Sequence, residues 1–294
     1  MLLGRSVRWR SWGIEWEADV KHRKLLLERF GLDGKSKALS VNGDWGELHS
    51  AVGGEPEVEL TLGEAKEFRA AVARLNYLGQ DSPDVQFPAK VLSAEMVSPT
   101  TGSWRRLKKV VRFLVGRKGV IWRFPWQSAE EANVLKVITD ADWGGDKRSR
   151  KSTSGGAAMR GRHCLRTWST TQGAIALSTA EAELYAMVDG VLKMKGIKSM
   201  LVELGLANDD DAIELQVDSA AGKSFISGRG LGKMRHVALR DLWIQQEVGE
   251  GKVRVVKIGG KTNPADVGTK FLSVTELAEK LAVLNLNLRF GDDA

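Results

Sequence analysis

One stretch, residues 134–151, constrains the fold of this chain more than any other: VLKVITDADWGGDKRSRK. A short apolar run from Val134 to Ile138 stops abruptly at Thr139-Asp140-Ala141-Asp142, and a Gly-Gly turn and a basic cluster follow. An apolar run of this length reads as a buried strand. Two acids then stand where that strand emerges. Carboxylates at the end of a central strand are a common way to hold a hard divalent cation against a phosphate.

Beyond this run, strand and helix patterns alternate. Strands are predicted over 134–139, 155–159, 164–169, 213–217 and 253–258, with Gly161 suited to a hairpin turn between the second and third. Helices are predicted over 179–204 and 237–248, with a shorter one after Asp218. That order predicts an α/β fold, a mixed five-stranded sheet with helices on its faces. The upstream part reads as a smaller, mainly helical α+β region. Alternation of Val7, Trp9, Ile14 and Trp16 predicts a hairpin turning at Ser11-Trp12-Gly13, and a helix follows over 20–30. Residues 36–60 read as a connector. Apolar positions at three- and four-residue spacing predict a helix over 61–78, and Ser82-Pro83-Asp84 opens another running through 91–96. In the helix over 103–115, Trp104, Leu107, Val111 and Leu114 take one side. Arg105, Arg106, Lys108, Lys109 and Arg112 fill the rest without one acid, a pattern that suits tracking a phosphate backbone. A strand over 120–124 and a linker over 127–133 complete this region.

The other acids fall into place by the same logic. Asp218 ends the strand over 213–217 as Asp140 ends the first, so adjacent strands would set both carboxylates at one edge of the sheet. Ser178-Thr179-Ala180-Glu181 fits a capping box, with Glu181 reaching back to the N-cap amide, which gives Glu181 a structural task. Glu183 points about 200° around the helix from it and is the better candidate to face the sheet edge. Asp266 follows the last strand in Asn263-Pro264-Ala265-Asp266, where it is either an acid of a helix's first turn or a fourth carboxylate.

Several function classes are excluded. Cys164 is the only cysteine, so no intrachain disulfide and no thiolate zinc site forms. His22, His49, His163 and His236 lie far apart with no metal-ligand spacing. Gly222-Lys223-Ser224 lacks the upstream glycine of a phosphate-binding loop, because Val217 stands there. No serine sits in a nucleophile-elbow context. No apolar run approaches a membrane span and no secretory leader is evident, so the expected setting is cytoplasmic or nuclear, not secreted and not membrane-bound. A net charge of +7 favours a polyanionic partner.

The residues then carry a family resemblance. The run from Asp140 to Gly155, DADWGGDKRSRKSTSG, resembles the opening motif of the ribonuclease H domain in Ty1/copia-type retrotransposon polyproteins. LSTAEAELYA from Leu177 resembles the helix motif of that family, Val217-Asp218-Ser219 its third motif, and PADVGTK from Pro264 its last. Leu75-Asn76-Tyr77-Leu78, Pro83-Asp84 and the run from Trp104 to Leu114 resemble the connection between polymerase and nuclease in the same polyproteins. The resemblance implies the C-terminal part of a reverse transcriptase. Its division would be a post-palm hairpin, helix and connector over 1–60, a connection-like region over 61–133, a ribonuclease H-like domain over 134–272, and a helical tail over 273–294. The paired aspartates of a polymerase palm are absent, so no polymerase activity is expected from this chain.

Mapped by residue, the resemblance makes Asp140, Glu183, Asp218 and Asp266 the catalytic and metal-binding carboxylates, with Asp142 shaping the turn. It implies two Mg²⁺ ions, with Mn²⁺ as an alternative, and cleavage of the RNA strand of RNA–DNA hybrids. The partners it implies are the hybrid and the polymerase-bearing part of the same polyprotein, in cytoplasmic virus-like particles or the nucleus. Phosphate contacts are expected from Lys147, Arg148, Arg150, Lys151, Lys233 and Arg235, and from Arg105, Lys108, Lys109 and Arg112. Two alternatives remain at this point: a non-catalytic nucleic-acid-binding remnant, and a carboxylate nuclease or transposase of the same fold acting on DNA.

Overall fold

The alternating residues at the N-terminus form the predicted hairpin. β1 (Ser6–Arg10) and β2 (Gly13–Glu17) pair antiparallel, and β2 also pairs with β3 (Arg117–Pro125). Trp16 stacks on Trp122 across that second pairing, with ring centroids 5.3 Å apart. The structure, a computed structural model, describes residues 4–43, 57–231 and 239–291.

Between the hairpin and β3 lie α1 (Lys21–Arg29), α2 (Leu62–Gly79), α3 (Gln86–Ser93) and α4 (Thr101–Phe113). The capping box of Thr61 and Glu64 starts α2, which buries Phe68, Val72 and Leu75 on one face. Helix α3 starts just after the predicted opening at Ser82-Pro83-Asp84 and ends at Ser93, short of the predicted run through 91–96. A 3₁₀ turn at Pro83–Val85 leads directly into it, and Pro88 falls in its first turn, where a missing N–H is harmless. The region read as a linker before the strand predicted over 134–139 contains α5 (Ala129–Ala132), opened by a Ser128–Glu131 capping box.

The alternating half follows as β4 (Leu135–Asp142), β5 (Thr153–Arg160), β6 (His163–Thr171), α6 (Thr179–Glu203), β7 (Ile213–Val217), α7 (Ala220–Ile226), α8 (Trp243–Gly249) and β8 (Val253–Lys257). The predicted start of the helix over 237–248 lies partly outside the described residues. Within them, a 3₁₀ turn at Leu239–Leu242 leads into α8. The chain closes with α9 (Val274–Val283) and β9 (Leu286–Phe290). Residues 273–294, read as a helical tail, therefore return a strand. Asn285, in the left-handed region at φ 56°, turns the chain, and β9 pairs antiparallel with β3.

Among the described residues the strands form two sheets. One has the order β1-β2-β3-β9; the other is the expected mixed sheet, in the order β6-β5-β4-β7-β8. In the second sheet β5 runs antiparallel to both β4 and β6, while β4, β7 and β8 are parallel. β5 is buried along nearly its whole length, which suits its small residues Gly155, Gly156, Ala157 and Ala158. One face of the mixed sheet packs on α6 through Leu135, Val137, Leu184, Met187 and Val191. The other face, through Ile138, Ala157 and Met159, shares one core with α2, α3, α4 and α9. The upstream helices thus form the second covering layer of the mixed sheet. Asn42 ties these parts together: fully buried, it donates to the Asp84 carbonyl at 2.8 Å and accepts from the Leu272 amide at 2.9 Å. No helix among the described residues is long and apolar enough to cross a membrane.

Candidate metal centre

The position of Asp140 and Asp218 follows from strand register. β4 and β7 run parallel with Ile138 opposite Gln216, so two residues further along each chain the two aspartates stand side by side at the carboxyl edge. Adjacent strands lie roughly 4.8 Å apart, which brings such side chains within reach of one ion. Glu183 arrives from α6 on the helix face that carries Met187 and Gly190 inward. Oxygens of Asp140, Glu183 and Asp218 all lie within 4.8 Å of one another.

Glu181 belongs to the helix start, as expected, though with a different partner. Its side chain accepts from the Leu177 amide at 2.7 Å rather than from the N-cap residue Ser178, whose hydroxyl in turn accepts from the Glu181 amide. The extra reach is used by Tyr185, whose hydroxyl donates to the other Glu181 oxygen at 2.5 Å.

Asp266 lies beside the three clustered carboxylates and is held differently. It sits in a 3₁₀ turn, Pro264–Gly268, with Lys280 Nζ 2.6 Å from its Oδ2 and Lys270 Nζ donating to its Oδ1. Lys270 also stands 3.7 Å from Asp140 Oδ2, the oxygen that accepts from the Thr269 hydroxyl. Two glycines permit this docking. A Cβ on Gly155 would meet the Ala265 carbonyl oxygen at 2.8 Å, and one on Gly268 would meet the Trp168 carbonyl oxygen at 2.5 Å. Asn263 fastens the same turn to β4 by donating to the Thr139 carbonyl at 3.1 Å. Thr269, Lys280 and Asn263 were not singled out by sequence reasoning. Lys270, four residues past Asp266 on a turn, carried the one available signal, the spacing of a helical ion pair.

Burial and mutual repulsion dominate the electrostatics. Desolvation, reinforced by Asp266 and Asp218 and opposed by Lys270 and Thr269, pushes Asp140 up to about 7. Desolvation, with repulsion from Asp140 and Asp218, pushes Glu183 up to about 8. Glu183 Oε2 is buried and has no hydrogen-bond partner. An orphaned carboxylate oxygen facing two further carboxylates fits a hard divalent cation, which would supply the missing partner and offset the repulsion.

The expected phosphate contacts divide. Lys147, Arg148 and Arg150 are exposed on the loop after β4, and Lys151 is half-buried there. Asp146 shapes that loop by accepting from the Arg148 amide at 2.9 Å, while Asp142 accepts from the Thr153 amide, the turn-forming task expected of it. Arg105, Lys108 and Lys109 are exposed on α4, and half-buried Arg112 donates to the Lys37 carbonyl at 3.2 Å. Arg106 departs from the basic face predicted for α4: it is buried and ion-paired with Glu95 and Glu57. Lys233 and Arg235 lie outside the described residues. A cavity of about 490 Å³ separates α3 and α4 from the loop after β4, with Lys90, Arg106, Asp142, Lys147 and Arg148 in its wall. None of the four carboxylates lines it.

No family model matches the chain. It is 30% identical over 236 residues to the retrovirus-related Pol polyprotein from transposon RE2 of Arabidopsis thaliana, covering 78% of this chain and 15% of the relative. The corresponding polyprotein from transposon RE1 of the same plant is 29% identical over 231 residues, 76% of this chain and 15% of the relative. That from transposon TNT 1-94 of Nicotiana tabacum is 28% identical over 286 residues, 96% of this chain and 21% of the relative. The chain therefore spans between 15% and 21% of the length of these relatives. Among solved structures, a foamy viral protease-reverse transcriptase in complex with RNA/DNA hybrid aligns with TM-score 0.46 and 10% identity, over 88% of this chain and 29% of that one. LC11-RNase H1, isolated from compost, aligns with TM-score 0.31 and 16% identity, over 46% of this chain and 91% of that one. Matched over 76–96% of its own length, the chain is homologous to part of the retrovirus-related Pol polyproteins of copia-type transposons.

Proposed function

We propose that this chain is the nuclease part of a copia-type reverse transcriptase, a metal-dependent endonuclease that cleaves the RNA strand of RNA–DNA hybrids. The observation that carries the reading is the convergence of Asp140, Glu183 and Asp218 within 4.8 Å, with one buried Glu183 oxygen unpartnered. In this reading those three side chains hold Mg²⁺, or Mn²⁺ in its place, and Asp266 supports the site through Lys270. The nuclease unit is residues 134–272. The described residues of the segments 1–60, 61–133 and 273–294 build the four-stranded sheet and the helical layer beneath the mixed sheet, the side on which a polymerase-bearing part of the same polyprotein would join.

When bound, the cation lowers the pKa of the attacking water and neutralises charge on the scissile phosphate. The chain's own residues set the stage. The Thr269 hydroxyl fixes Asp140 through Oδ2. Gly190 lets α6 approach β4 closely, so that Glu183 reaches the strand ends. The loop from Asp146 to Lys151 offers exposed cations to the backbone beside the site. Selectivity for a hybrid requires contacts to 2′-hydroxyls across the minor groove.

The test is a gel assay on end-labelled RNA–DNA hybrid with Mg²⁺ or Mn²⁺, with plain DNA duplex as competitor. Cleavage of the RNA strand that disappears with Asp218→Asn, while hybrid binding persists, supports the proposal. Wild-type protein that binds the hybrid and leaves it uncut with both ions supports the binding-remnant reading instead. Equal cutting of plain duplex moves the assignment to a DNA nuclease.

A further inference from the structure

We infer that the Lys270 ammonium takes the place of a second divalent cation between Asp140 and Asp266, so that the site binds one divalent ion rather than two. This rests on the metal-dependent reading above and refines the set of ions.

A second ion that used the fourth acid, Asp266, would draw on Asp140, the clustered carboxylate with which Asp266 shares Lys270. The two carboxylates are already bridged by a cation. Lys270 Nζ donates to Asp266 Oδ1 and stands 3.7 Å from Asp140 Oδ2. The other Asp266 oxygen is also taken, by Lys280 at 2.6 Å. Lys280 is buried and its remaining donors go to the carbonyls of Lys261 at 3.0 Å and Asn263 at 3.2 Å. An ammonium has three donors, so Lys280 is fully used. Turning Asp266 Oδ2 toward a metal would strand that buried charge, which is strongly unfavourable, so only Oδ1, the oxygen that Lys270 holds, could serve a second ion. The charge count gives the same answer. Four carboxylates are neutralised equally by two divalent ions, or by one divalent ion and two lysines.

Lys270 and Lys280 differ in one useful respect. The Lys270 side chain is half-exposed and leaves one flank open to solvent, whereas that of Lys280 is 9% exposed. Removing the Lys270 charge therefore opens the bridge while Lys280 keeps Asp266 paired and the turn folded.

The measurement is the stoichiometry of Mn²⁺ binding to the full chain without nucleic acid, counted from the free-ion electron paramagnetic resonance signal. The expected result is one ion on the wild type and on Lys270→Arg. Lys270→Met and Lys270→Gln should each take two, the second bound at least about tenfold more tightly than any second ion on the wild type. Thermal unfolding of each variant confirms that it is folded, and the Gln variant keeps a polar stem should Met disturb the turn. Two ions of similar affinity on the wild type, or one ion on both folded neutral variants, overturn the inference and leave the nuclease reading in place. No ion on the wild type, or one unaffected by Asp218→Asn, overturns both.

Discussion

A Cβ built on Gly190 of α6 would stand 2.5 Å from Cγ2 of Thr139 on β4, so helix and strand meet there with no room for one methyl group. Gly190 lies two helical turns past Glu183 on the same face, and the contact sets how deeply Glu183 reaches toward Asp140. In an open helix, Gly→Ala would stabilise by about 1 kcal/mol. Here overpacking opposes that gain, typically by about 1–3 kcal/mol before any loss of site geometry.

Gly190→Ala is therefore expected to destabilise the chain by roughly 1 kcal/mol net and to weaken divalent-ion binding. Adding Thr139→Ser, which removes the obstructing methyl, should recover most of both losses. Urea unfolding of the two single variants and the double variant measures the coupling. A Gly190→Ala protein as stable as wild type, with unchanged ion affinity, would show that the helix can shift freely.

The carboxylate cluster predicts an unusual pH response. Asp140 is pushed up to about 7 and Glu183 to about 8, chiefly by burial. Both stand well above the ordinary carboxyl values near 4 of an unfolded chain. Between those limits the folded protein binds more protons than the unfolded one, so metal-free stability is greatest at the acidic end. It falls as pH rises from about 4 to about 8. A divalent ion binds the ionised carboxylates and releases the protons. Thermal unfolding should thus decline across this window in chelator and decline less with excess Mg²⁺. Glu183→Gln should flatten the decline in chelator. A metal-free melting temperature that climbs from weakly acid to neutral pH would contradict the assigned environment.

The basic face of α4 separates into two kinds of residue. Replacing exposed Lys108 by alanine should leave folding unchanged and reduce the salt dependence of hybrid binding, with a slope lower by about 1. Replacing Arg106 leaves Glu95 buried without its partner and should destabilise the fold by about 3 kcal/mol. Salt-titrated binding isotherms and urea unfolding distinguish the effects. An Arg106→Ala variant of full stability would contradict the structural role given to that ion pair.

These contrasts mark what local sequence can carry. The strands of the mixed sheet were legible because their apolar runs are short and end in turn formers, and Asp140 and Asp218 because they end two such runs alike. Helical geometry separated Glu183 from Glu181. Arg106 was not separable from Arg105 and Lys108, since its partners Glu95 and Glu57 come from other segments. Asn42, in a stretch read as a connector, gains its role only when Asp84 and Leu272 arrive. The same holds for β9, whose pairing with β3 is set across the whole chain, and for Lys280, brought to Asp266 by the docking of α9. Partners distant in sequence leave no period or spacing to read.

In the proposed nuclease, Glu183, the inward carboxylate of α6, serves the chemistry, while its neighbour Glu181 serves the helix start. Two variants test this division most directly: single-turnover cleavage of labelled RNA–DNA hybrid in Mg²⁺ by Glu183→Gln and by Glu181→Gln, each normalised to its folded fraction. The expected rate is at least about a thousandfold lower for Glu183→Gln, with hybrid affinity retained, and near wild type for Glu181→Gln. Cleavage by Glu183→Gln within about tenfold of wild type, or equal losses in the two variants, would contradict it.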